Sequence, residues 1–290
     1  MTRKREAAVN YSQIRAFHYV AMLRGFSRAA EALSLTQPAI SEQVRKLESD
    51  NDILLFNRER KQITLTPLAE DLLLKTKQLF ELEDTIDDIL SERRSVLTGH
   101  LRIMVDSAFH LSDRLLRFRQ KYPEVKVTVR TGNSEDVLAN LRSYDVEIGI
   151  VGSENPGSEF EKVSLGEADI VAVAAKPFDV ETEKRLTMQD LKGFPLVFRE
   201  PGSKTRQKLE RAAMAEKVTL KPEMVVEGRE AMLEVVASGT GLGFVSEAEI
   251  GNDPRLTRIG LAARDLKMAE SLVYLKQRSD LRVIRSFLRS

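Results

Sequence analysis

Apolar positions recur at steps of three and four residues in three short stretches near the beginning of the chain, and this spacing predicts three short helices. Ser12 is placed to cap the first helix, which ends at Gly25, and Ser27 to cap the second. Thr36 caps the third, with Pro38 in the first turn, where a missing N–H is harmless. Because a turn of three or four residues joins the second helix to the third, the pattern predicts a helix-turn-helix.

Alternating polar and apolar residues continue through 54–65, on either side of the polar stretch 57–61. This arrangement predicts a β-hairpin, or wing. Arg58, Arg60 and Lys61 place three cations at its tip, where they suit the phosphates beside a DNA groove. An ordinary charged hairpin is the alternative interpretation.

A longer helical pattern begins at Thr66, which can cap a helix with Pro67 at its first position. No proline follows until Pro123, so the predicted helix runs without interruption over 67–95. Its apolar stripe comprises Leu68, Leu72, Leu79, Leu82, Ile86 and Ile89. So long an amphipathic helix favours a partner helix, and packing against the rest of its own chain is the alternative.

From Gly99 onward, short apolar strands alternate with helices, which predicts a parallel α/β sheet with right-handed crossovers. The predicted helices include 111–122 and 134–141. The predicted strands are 101–105, 125–131, 146–151, 170–174, 196–198, 224–227 and 242–246. Such sheets bind ligands beyond the carboxyl ends of their strands, so the site of this region is expected there.

The amino-acid composition excludes several kinds of metal site and of covalent cross-link. The 290 residues include no cysteine and three histidines that lie far apart, so no thiolate metal site or disulfide framework is possible and no histidine pair is spaced for a metal. No signal segment or membrane-spanning run is visible, and a cytoplasmic location is expected. Nor does any catalytic motif appear. We therefore expect no catalytic residue, metal ligand or cofactor.

Charge is distributed unevenly along the chain. Residues 1–63 hold eleven Lys+Arg against seven Asp+Glu, whereas 64–98 hold four against eight, although the whole chain carries a net charge of +1. A basic beginning favours nucleic acid, although differences this small also occur on ordinary solvated surfaces.

The third helix carries the residues best suited to contact bases. Its N-terminal end would enter the major groove, where Gln37 can bond adenine in two places and Ser41 can reach a base or a phosphate. Arg45 and Lys46, one turn further on, would hold the DNA backbone. Glu42 either accepts a hydrogen bond from a cytosine amino group or faces solvent.

Polar residues collect after the predicted strands of the second half. Ser203 and Thr205 lie at the start of a helix in 199–206, where hydroxyls, backbone N–H groups and flanking cations form a candidate anion site. The alternative is a plain helix cap, and the same two interpretations apply to Ser107 and Asn133. The glycine-rich stretch 239–243 follows a helix and precedes a strand, the reverse of a dinucleotide loop, so no nucleotide site is expected there.

These residues carry a resemblance. The segments FSRAAEAL (26–33), TQPAIS (36–41), KLE (46–48) and LFxR (55–58), with Leu65-Thr66, resemble the winged helix-turn-helix of LysR-type transcriptional regulators. Glu42 departs from the family pattern, in which a basic residue is common. The resemblance implies promoter DNA as partner and a DNA-binding surface of Arg28, Thr36, Gln37, Pro38, Ser41, Glu42, Arg45, Lys46, Arg58, Arg60 and Lys61.

The resemblance also implies the fold class: α/β, with an N-terminal winged helix-turn-helix head over 10–66, a long linker helix over 67–95, and a two-lobed effector domain like the periplasmic binding proteins over 99–290. The first lobe would comprise about 99–168 and 263–290, and the second about 169–262. Regulators of this family dimerise through the linker helix, and pairing of the effector domains implies a homotetramer.

Within the family, short motifs such as REPGSxTR (199–206) are similar to a branch associated with aminoethylphosphonate catabolism. An anionic effector, with 2-aminoethylphosphonate first, is therefore expected. Glu227 or Glu230 would meet its ammonium group, or else pair with Arg229. The expected effector site comprises Ser107, Asn133, Ser134, Arg199, Ser203, Thr205, Arg206, Glu227 and Arg229.

Two other functions stay open at this stage. A solute receptor without DNA switching would share the second half of the chain, but the basic first segment argues against it. An enzyme would have to act through scattered residues near one strand end, Asp106, Ser107 and His110, without a supporting motif.

Overall fold

A computed structural model describes residues 10–57, 63–90, 96–153, 155–177, 185–263 and 265–290, with the side chain of residue 88 left out. The chain forms two compact units, Met1–Arg93 and Arg94–Ser290, which we call the head and the body.

The head contains four helices and a two-stranded sheet within its described residues. The helices are α1 Tyr11–Leu23, α2 Phe26–Ala32, α3 Gln37–Asn51 and α4 Pro67–Leu90, and the strands are β1 Phe56–Asn57 and β2 Thr64–Leu65. Phe17, Val20, Ile40 and Val44 lie almost fully buried in its core, as the apolar spacing predicts.

Two of the predicted helix caps are wrong. Asn10, rather than Ser12, caps α1, because its side-chain oxygen accepts hydrogen bonds from the N–H groups of Ser12 and Gln13. Helix α2 begins at Phe26, with Gly25 as its cap and no side-chain hydrogen bond. The ring of Phe26 packs 5.8 Å from that of Phe56, so core packing rather than a hydroxyl sets this start. The Thr36 cap is confirmed by its bond from the Ala39 N–H.

The body contains nine strands and five α-helices within its described residues. The strands are β3 Gly99–Val105, β4 Val125–Thr131, β5 Ile148–Val151, β6 Phe160–Ala175, β7 Val197–Arg199, β8 Met224–Val226, β9 Gly243–Ser246, β10 Leu256–Ile259 and β11 Lys267–Leu275. The helices are α5 Ser112–Lys121, α6 Ser134–Arg142, α7 Lys204–Ala215, α8 Arg229–Ala237 and α9 Arg282–Leu288, with 3-10 turns at 109–111, 190–193, 247–249 and 276–278.

The sheet of the body is mixed, so the prediction of a parallel sheet is wrong in part. Strands β3, β4 and β5 are parallel, and so are β7 and β8. Strands β6 and β11, however, pair antiparallel from Phe160 opposite Leu275 to Asp169 opposite Lys267, and β9 and β10 pair antiparallel with β6. The predicted strand 170–174 is the second half of β6. Charged residues interrupt the first half of β6, so the sequence there shows no apolar run that would predict a strand.

Strands β6 and β11, the crossing pair, run through both lobes of the body. The core of one lobe contains Leu101, Ile148 and Phe287, and that of the other contains Ile170 and Leu209. Met268, on β11, belongs to the second core. The second lobe therefore includes residues beyond 262, the position at which it was expected to end. Strand β11 begins in the second lobe and continues into the first.

Candidate DNA-binding surface and ligand cleft

Helix α3 buries one face in the head and leaves the other open. Ile40, Val44 and Leu47 point into the core, and this holds the N-terminal end of the helix at the surface. Gln37 and Pro38 are exposed there, and the Gln37 amide donates to the Ser41 hydroxyl across 2.9 Å. Two of the predicted base-contacting side chains therefore lie together on the open face.

The cations of α3 share one carboxylate. Arg45 forms a hydrogen-bonded ion pair with Glu42, and the Lys46 ammonium lies 3.8 Å from the same carboxylate. The side chains of Arg45 and Lys46 remain 72% and 54% exposed, so both can reach a phosphate. Glu42 faces this surface with its charge partly offset, and it lowers the positive charge that DNA would meet.

Glu48 joins α3 to the wing. Its carboxylate accepts hydrogen bonds from the backbone N–H groups of Leu55 and Phe56, at 2.8 and 3.3 Å. The two wing strands pair antiparallel, with Phe56 opposite Leu65. The predicted phosphate contacts Arg58, Arg60 and Lys61 lie outside the described residues. Arg28 is exposed on α2 and donates to the backbone oxygen of Arg24.

The predicted stripe on α4 divides into two parts. Leu72 packs against the core of the head, and so does Phe80, which the stripe did not include. The other apolar side chains of the stripe stay exposed in this chain: Leu68, Leu79, Leu82, Ile86 and Ile89, together with Leu90. Part of the helix is thus anchored to the head, as the alternative interpretation expected, while an apolar face remains open.

In the body, a cavity of about 630 Å³ lies where β3, β4, β7 and β8 end. This is the edge at which the sequence predicted a ligand site. We call it the cleft. Its walls include Asp106, Thr131, Gly132, Asn133, Glu135, Asp136, Arg199, Glu200, Pro201, Gly202, Glu227, Gly228, Arg229 and Glu230. Of the predicted effector residues, Asn133, Arg199, Glu227 and Arg229 therefore line it.

The hydroxyl of Ser203 is fully buried and caps α7, accepting from the Arg206 N–H at 3.5 Å. The Arg206 guanidinium donates to the Arg199 backbone oxygen and to Glu210, and it stacks 5.5 Å from the Phe198 ring. These contacts stabilise the start of α7. Ser203 and Arg206 are occupied there, and neither is among the residues that line the cleft.

Asn133 and Ser134 have structural partners as well. The Asn133 side chain accepts from the N–H groups of Glu135 and Asp136, at 3.0 Å each, and so caps α6. The buried Ser134 hydroxyl donates to Asp106, at 2.8 Å. Asn133 therefore holds the helix and forms part of the cleft wall at once.

Arg199 is one of the two arginines that line the cleft among the described residues. It donates to Asp106 across 2.9 Å and to Glu200 across 2.7 Å. Although burial opposes ionisation of Glu200, its hydrogen bonds from Arg199 hold the pKa of that carboxyl below its ordinary value. Burial likewise disfavours the charged guanidinium, but Asp106 and Glu200 raise the pKa of Arg199, so the Arg199–Glu200 pair is charged at neutral pH.

Arg229 begins α8 and is also nearly buried. Its guanidinium donates to Ser107 and to Glu230, and it lies 3.2 Å from a carboxylate oxygen of Glu249. Glu230 is thus paired with Arg229, one of the two alternatives that the sequence left open.

Behind Arg229 lies a group that sequence reasoning missed: His110, Glu249 and Glu270, which we call the acid–histidine cluster. One ligand atom from each of the three lies within 4.8 Å of the others. Burial raises the pKa of Glu270 to about 9 and raises that of Glu249, whereas burial and Arg229 lower the pKa of His110. The three residues are far apart in sequence, and no motif connects them.

The cleft is acidic overall. Six carboxylate side chains but only two guanidinium groups line it among the described residues. An anion would therefore meet Arg199 and Arg229 among carboxylates, and a ligand that carries a positive group as well would be favoured.

The fold and the two surfaces define the class of protein: a winged helix-turn-helix head, joined through a long helix to a two-lobed ligand-binding body. The chain belongs to the LysR family of bacterial transcriptional regulators. Residues 11–70 match the family model described as bacterial regulatory helix-turn-helix protein, lysR family, and residues 94–290 match the LysR substrate binding domain. This is a family of transcriptional regulators rather than of enzymes. Among the described helices, none combines the length and apolar character needed to cross a membrane.

Known proteins similar to the chain agree with this assignment. The RuBisCO operon transcriptional regulator of Allochromatium vinosum is 30% identical over 240 residues, covering 82% of this chain and 80% of that protein. A full-length OxyR variant from Pseudomonas aeruginosa has a TM-score of 0.78 at 16% identity, and the match covers 98% of this chain and 95% of the OxyR chain. Full-length CbnR complexed with its target DNA has a TM-score of 0.66 at 19% identity, covering 97% and 98%.

Proposed function

We propose that this DNA-binding transcriptional regulator acts in the cytoplasm, binds promoter DNA through α3 and the wing, and responds to a small anionic metabolite bound in the cleft. The observation that carries the effector proposal is the placement of Arg199 and Arg229 on the wall of a 630 Å³ cavity at the strand ends. Two guanidinium groups suit the oxygens of a phosphonate, sulfonate or carboxylate.

We propose 2-aminoethylphosphonate as the first effector to test. Its phosphonate would face Arg199 and Arg229, while its ammonium would face the carboxylates that outnumber these cations, with Glu227 on the wall as the first candidate. Both ends of such a ligand would then meet opposite charge. A simple oxyanion would satisfy the arginines alone and leave the acidic wall without a partner.

The test is thermal unfolding of the full chain with 2-aminoethylphosphonate, ethylphosphonate, phosphate, sulfate and a neutral amino acid. A ligand at 100 times its dissociation constant adds about 2.7 kcal/mol to the unfolding free energy, a readily measured rise in melting temperature. We expect 2-aminoethylphosphonate to raise the melting temperature and ethylphosphonate, which lacks the ammonium, to raise it much less.

Arg199→Gln is expected to abolish the shift. Arg142→Gln is the matched control, because Arg142 pairs with Glu159 at an exposed position away from the cleft wall. Equal shifts with every oxyanion would retain an anion site but contradict the phosphonate. No shift with any compound would contradict the anionic effector, and family membership would stand.

We further propose that the chain is a homodimer through the open face of α4 and assembles into a tetramer through the body. The exposed apolar side chains from Leu79 to Leu90 support the first part, because a partner helix would remove them from water. Two heads on paired half-sites would also bind far more tightly than one. A solute receptor without DNA switching is not favoured, since residues 11–70 match the DNA-binding family model.

A further inference from the structure

The acid–histidine cluster brings together residues from three parts of the body. His110 lies in the 3-10 turn before α5, Glu249 in the turn after β9, and Glu270 on β11 of the crossing pair. The His110 ring nitrogen Nε2 lies 3.7 Å from a carboxylate oxygen of Glu249. All three side chains are nearly buried, and Glu270 is 4% exposed.

Polar atoms of this cluster lack partners. Within the described part of the chain, His110 Nε2 and Glu270 Oε2 are buried and accept or donate no hydrogen bond. A buried carboxylate oxygen without a hydrogen bond costs free energy, so a site that leaves it unsatisfied is completed by another species.

The neighbouring cations have partners besides the cluster. Arg229 contacts Glu249, but it also serves Ser107 and Glu230. Lys208, the other cation that acts on Glu270, donates to the Lys267 backbone oxygen. Among the described residues Glu270 forms no ion pair, so one guanidinium serves the cluster and the buried carboxyl group of Glu270 has no cation beside it.

The geometry suits a metal ion. Ions such as Zn²⁺ lie about 2.0–2.2 Å from nitrogen and carboxylate ligands, so two ligands of one tetrahedral ion are about 3.4 Å apart. The 3.7 Å between His110 and Glu249 is close to that spacing, and all three ligand atoms lie within 4.8 Å of one another, so small side-chain rotations would complete the site. One imidazole with two carboxylates suits first-row transition metals better than Ca²⁺, which takes about six to eight oxygens.

We propose that the acid–histidine cluster binds one divalent first-row transition-metal ion, held by His110 Nε2 and one carboxylate oxygen each from Glu249 and Glu270. The ion gives the unpartnered atoms their partner and balances the charge of the carboxylates that bind it. Because its ligands come from both lobes and from the crossing pair, a bound ion fixes the lobes relative to each other. Three protein ligands leave a further coordination position for water or another small ligand.

The test uses full-length protein stripped of metal with a chelator and titrated with Zn²⁺, Mn²⁺ and Co²⁺ in a calorimeter. We expect one ion per chain, and with Co²⁺ a visible absorption band that reports nitrogen and oxygen coordination. Glu270→Gln and His110→Asn should each weaken binding by more than about 100-fold, because even the loss of groups that merely support a ligand weakens metal affinity about 10–100-fold.

Two variants serve as matched controls. Glu247→Gln changes an exposed carboxylate in the same turn as Glu249, and His100→Asn changes an exposed histidine bonded to Thr128. Both should bind the ion as the natural chain does. The metal-free Glu270→Gln protein should melt at about the same temperature as the natural chain, because the amide has the same shape as the buried carboxyl group and replaces no ion pair, so failure to bind cannot be attributed to unfolding.

Absence of binding at millimolar concentrations of all three ions would overturn the proposal. So would undiminished affinity in Glu270→Gln and His110→Asn, or equal losses in the control variants. If Glu270→Gln keeps the metal but loses the response to 2-aminoethylphosphonate, the cluster binds the effector's ammonium and the metal site is refuted. The titration contains no effector, so its failure leaves the proposed function untouched.

Discussion

At the scale of single residues, Glu42 determines how much positive charge α3 presents. It pairs with Arg45 and lies near Lys46, so two exposed cations share one carboxylate at the surface expected to meet DNA. The sequence showed these three residues one helical turn apart. The sequence did not decide whether Glu42 contacts a base or faces solvent. Only the structure shows that Glu42 pairs with Arg45 and lies near Lys46.

We predict that Glu42→Gln strengthens binding to DNA of any sequence and steepens its salt dependence. Freed from the carboxylate, Arg45 and Lys46 would displace about one more counterion from the phosphates, which changes the slope of log K against log salt by about 0.9. Fluorescence anisotropy with specific and scrambled duplexes at several salt concentrations measures both. Glu31→Gln on α2 is the control, and equal effects of the two substitutions would refute this role of Glu42.

His18 gives the head a dependence on pH. Its ring lies 4.5 Å from that of Phe80 and its Nδ1 is 2.9 Å from the Thr76 hydroxyl. Burial, with a smaller contribution from Lys77, lowers its pKa from 6.5 to about 4. Between these values the unfolded chain binds more protons than the folded chain, so this contribution to stability is complete above pH 6.5 and declines as the pH falls toward 4.

We therefore expect the head to lose about 1 kcal/mol of unfolding free energy between pH 7 and pH 5 through His18, after allowance for partial exposure of the ring. Urea denaturation followed by circular dichroism at the two pH values measures it. In His18→Gln this part of the pH dependence should disappear. An unchanged difference between pH 7 and pH 5 in that variant would assign it to other groups.

At the scale of elements, α4 shows what apolar spacing leaves undecided. The stripe predicted a buried face, and only part of that face is buried within this chain, while pairing with a second helix stays a prediction. Leu72 and Phe80 pack on the head, and the Tyr11 hydroxyl donates to Glu83. Residues such as Leu82 and Ile86 remain exposed. Periodicity marks the face of a helix, but it does not tell which neighbour will cover each turn.

Leu82→Glu with Ile86→Glu should dissociate the proposed dimer. Burying an aliphatic side chain is worth about 1.5–3 kcal/mol, so the two changes raise the dimer dissociation constant by more than about 100-fold. Light scattering after gel filtration measures the assembly. The conservative substitution Leu82→Met is the control and should leave the dimer intact. If the variant with both glutamates keeps the mass of the natural assembly, the dimer interface lies elsewhere.

At the scale of the whole molecule, an effector can regulate only through its preference for one state of the protein. Binding in the cleft and binding to DNA are separate events, and if they are coupled the coupling is reciprocal. The factor by which effector changes DNA affinity must equal the factor by which DNA changes effector affinity.

We expect a coupling of about 5-fold to 150-fold between 2-aminoethylphosphonate and promoter DNA. DNA titrations with and without effector give one factor, and calorimetric titrations of the effector with and without DNA give the other. Arg199→Gln should bind DNA but show a factor of one. Identical DNA affinities with and without effector in the natural chain would refute the switch.

Residues close together in the sequence accounted for much of the head. The apolar spacing of α1 and α3, the Thr36 cap and the Pro67 start of α4 follow from contacts within a few positions, so they can be predicted from the sequence alone. The same local rules located the carboxyl ends of β3, β4, β7 and β8, and with them the edge where the cleft lies.

Tertiary structure decided what depends on residues far apart in the chain. The crossing pair forms because β6 pairs with β11, a strand much later in the chain, and no local apolar run announces the first half of β6. Ser203 and Arg206, expected to face an anion, are engaged at the start of α7. The acid–histidine cluster exists because three separate segments converge, and its unpartnered buried atoms result from that packing, which no sequence pattern records.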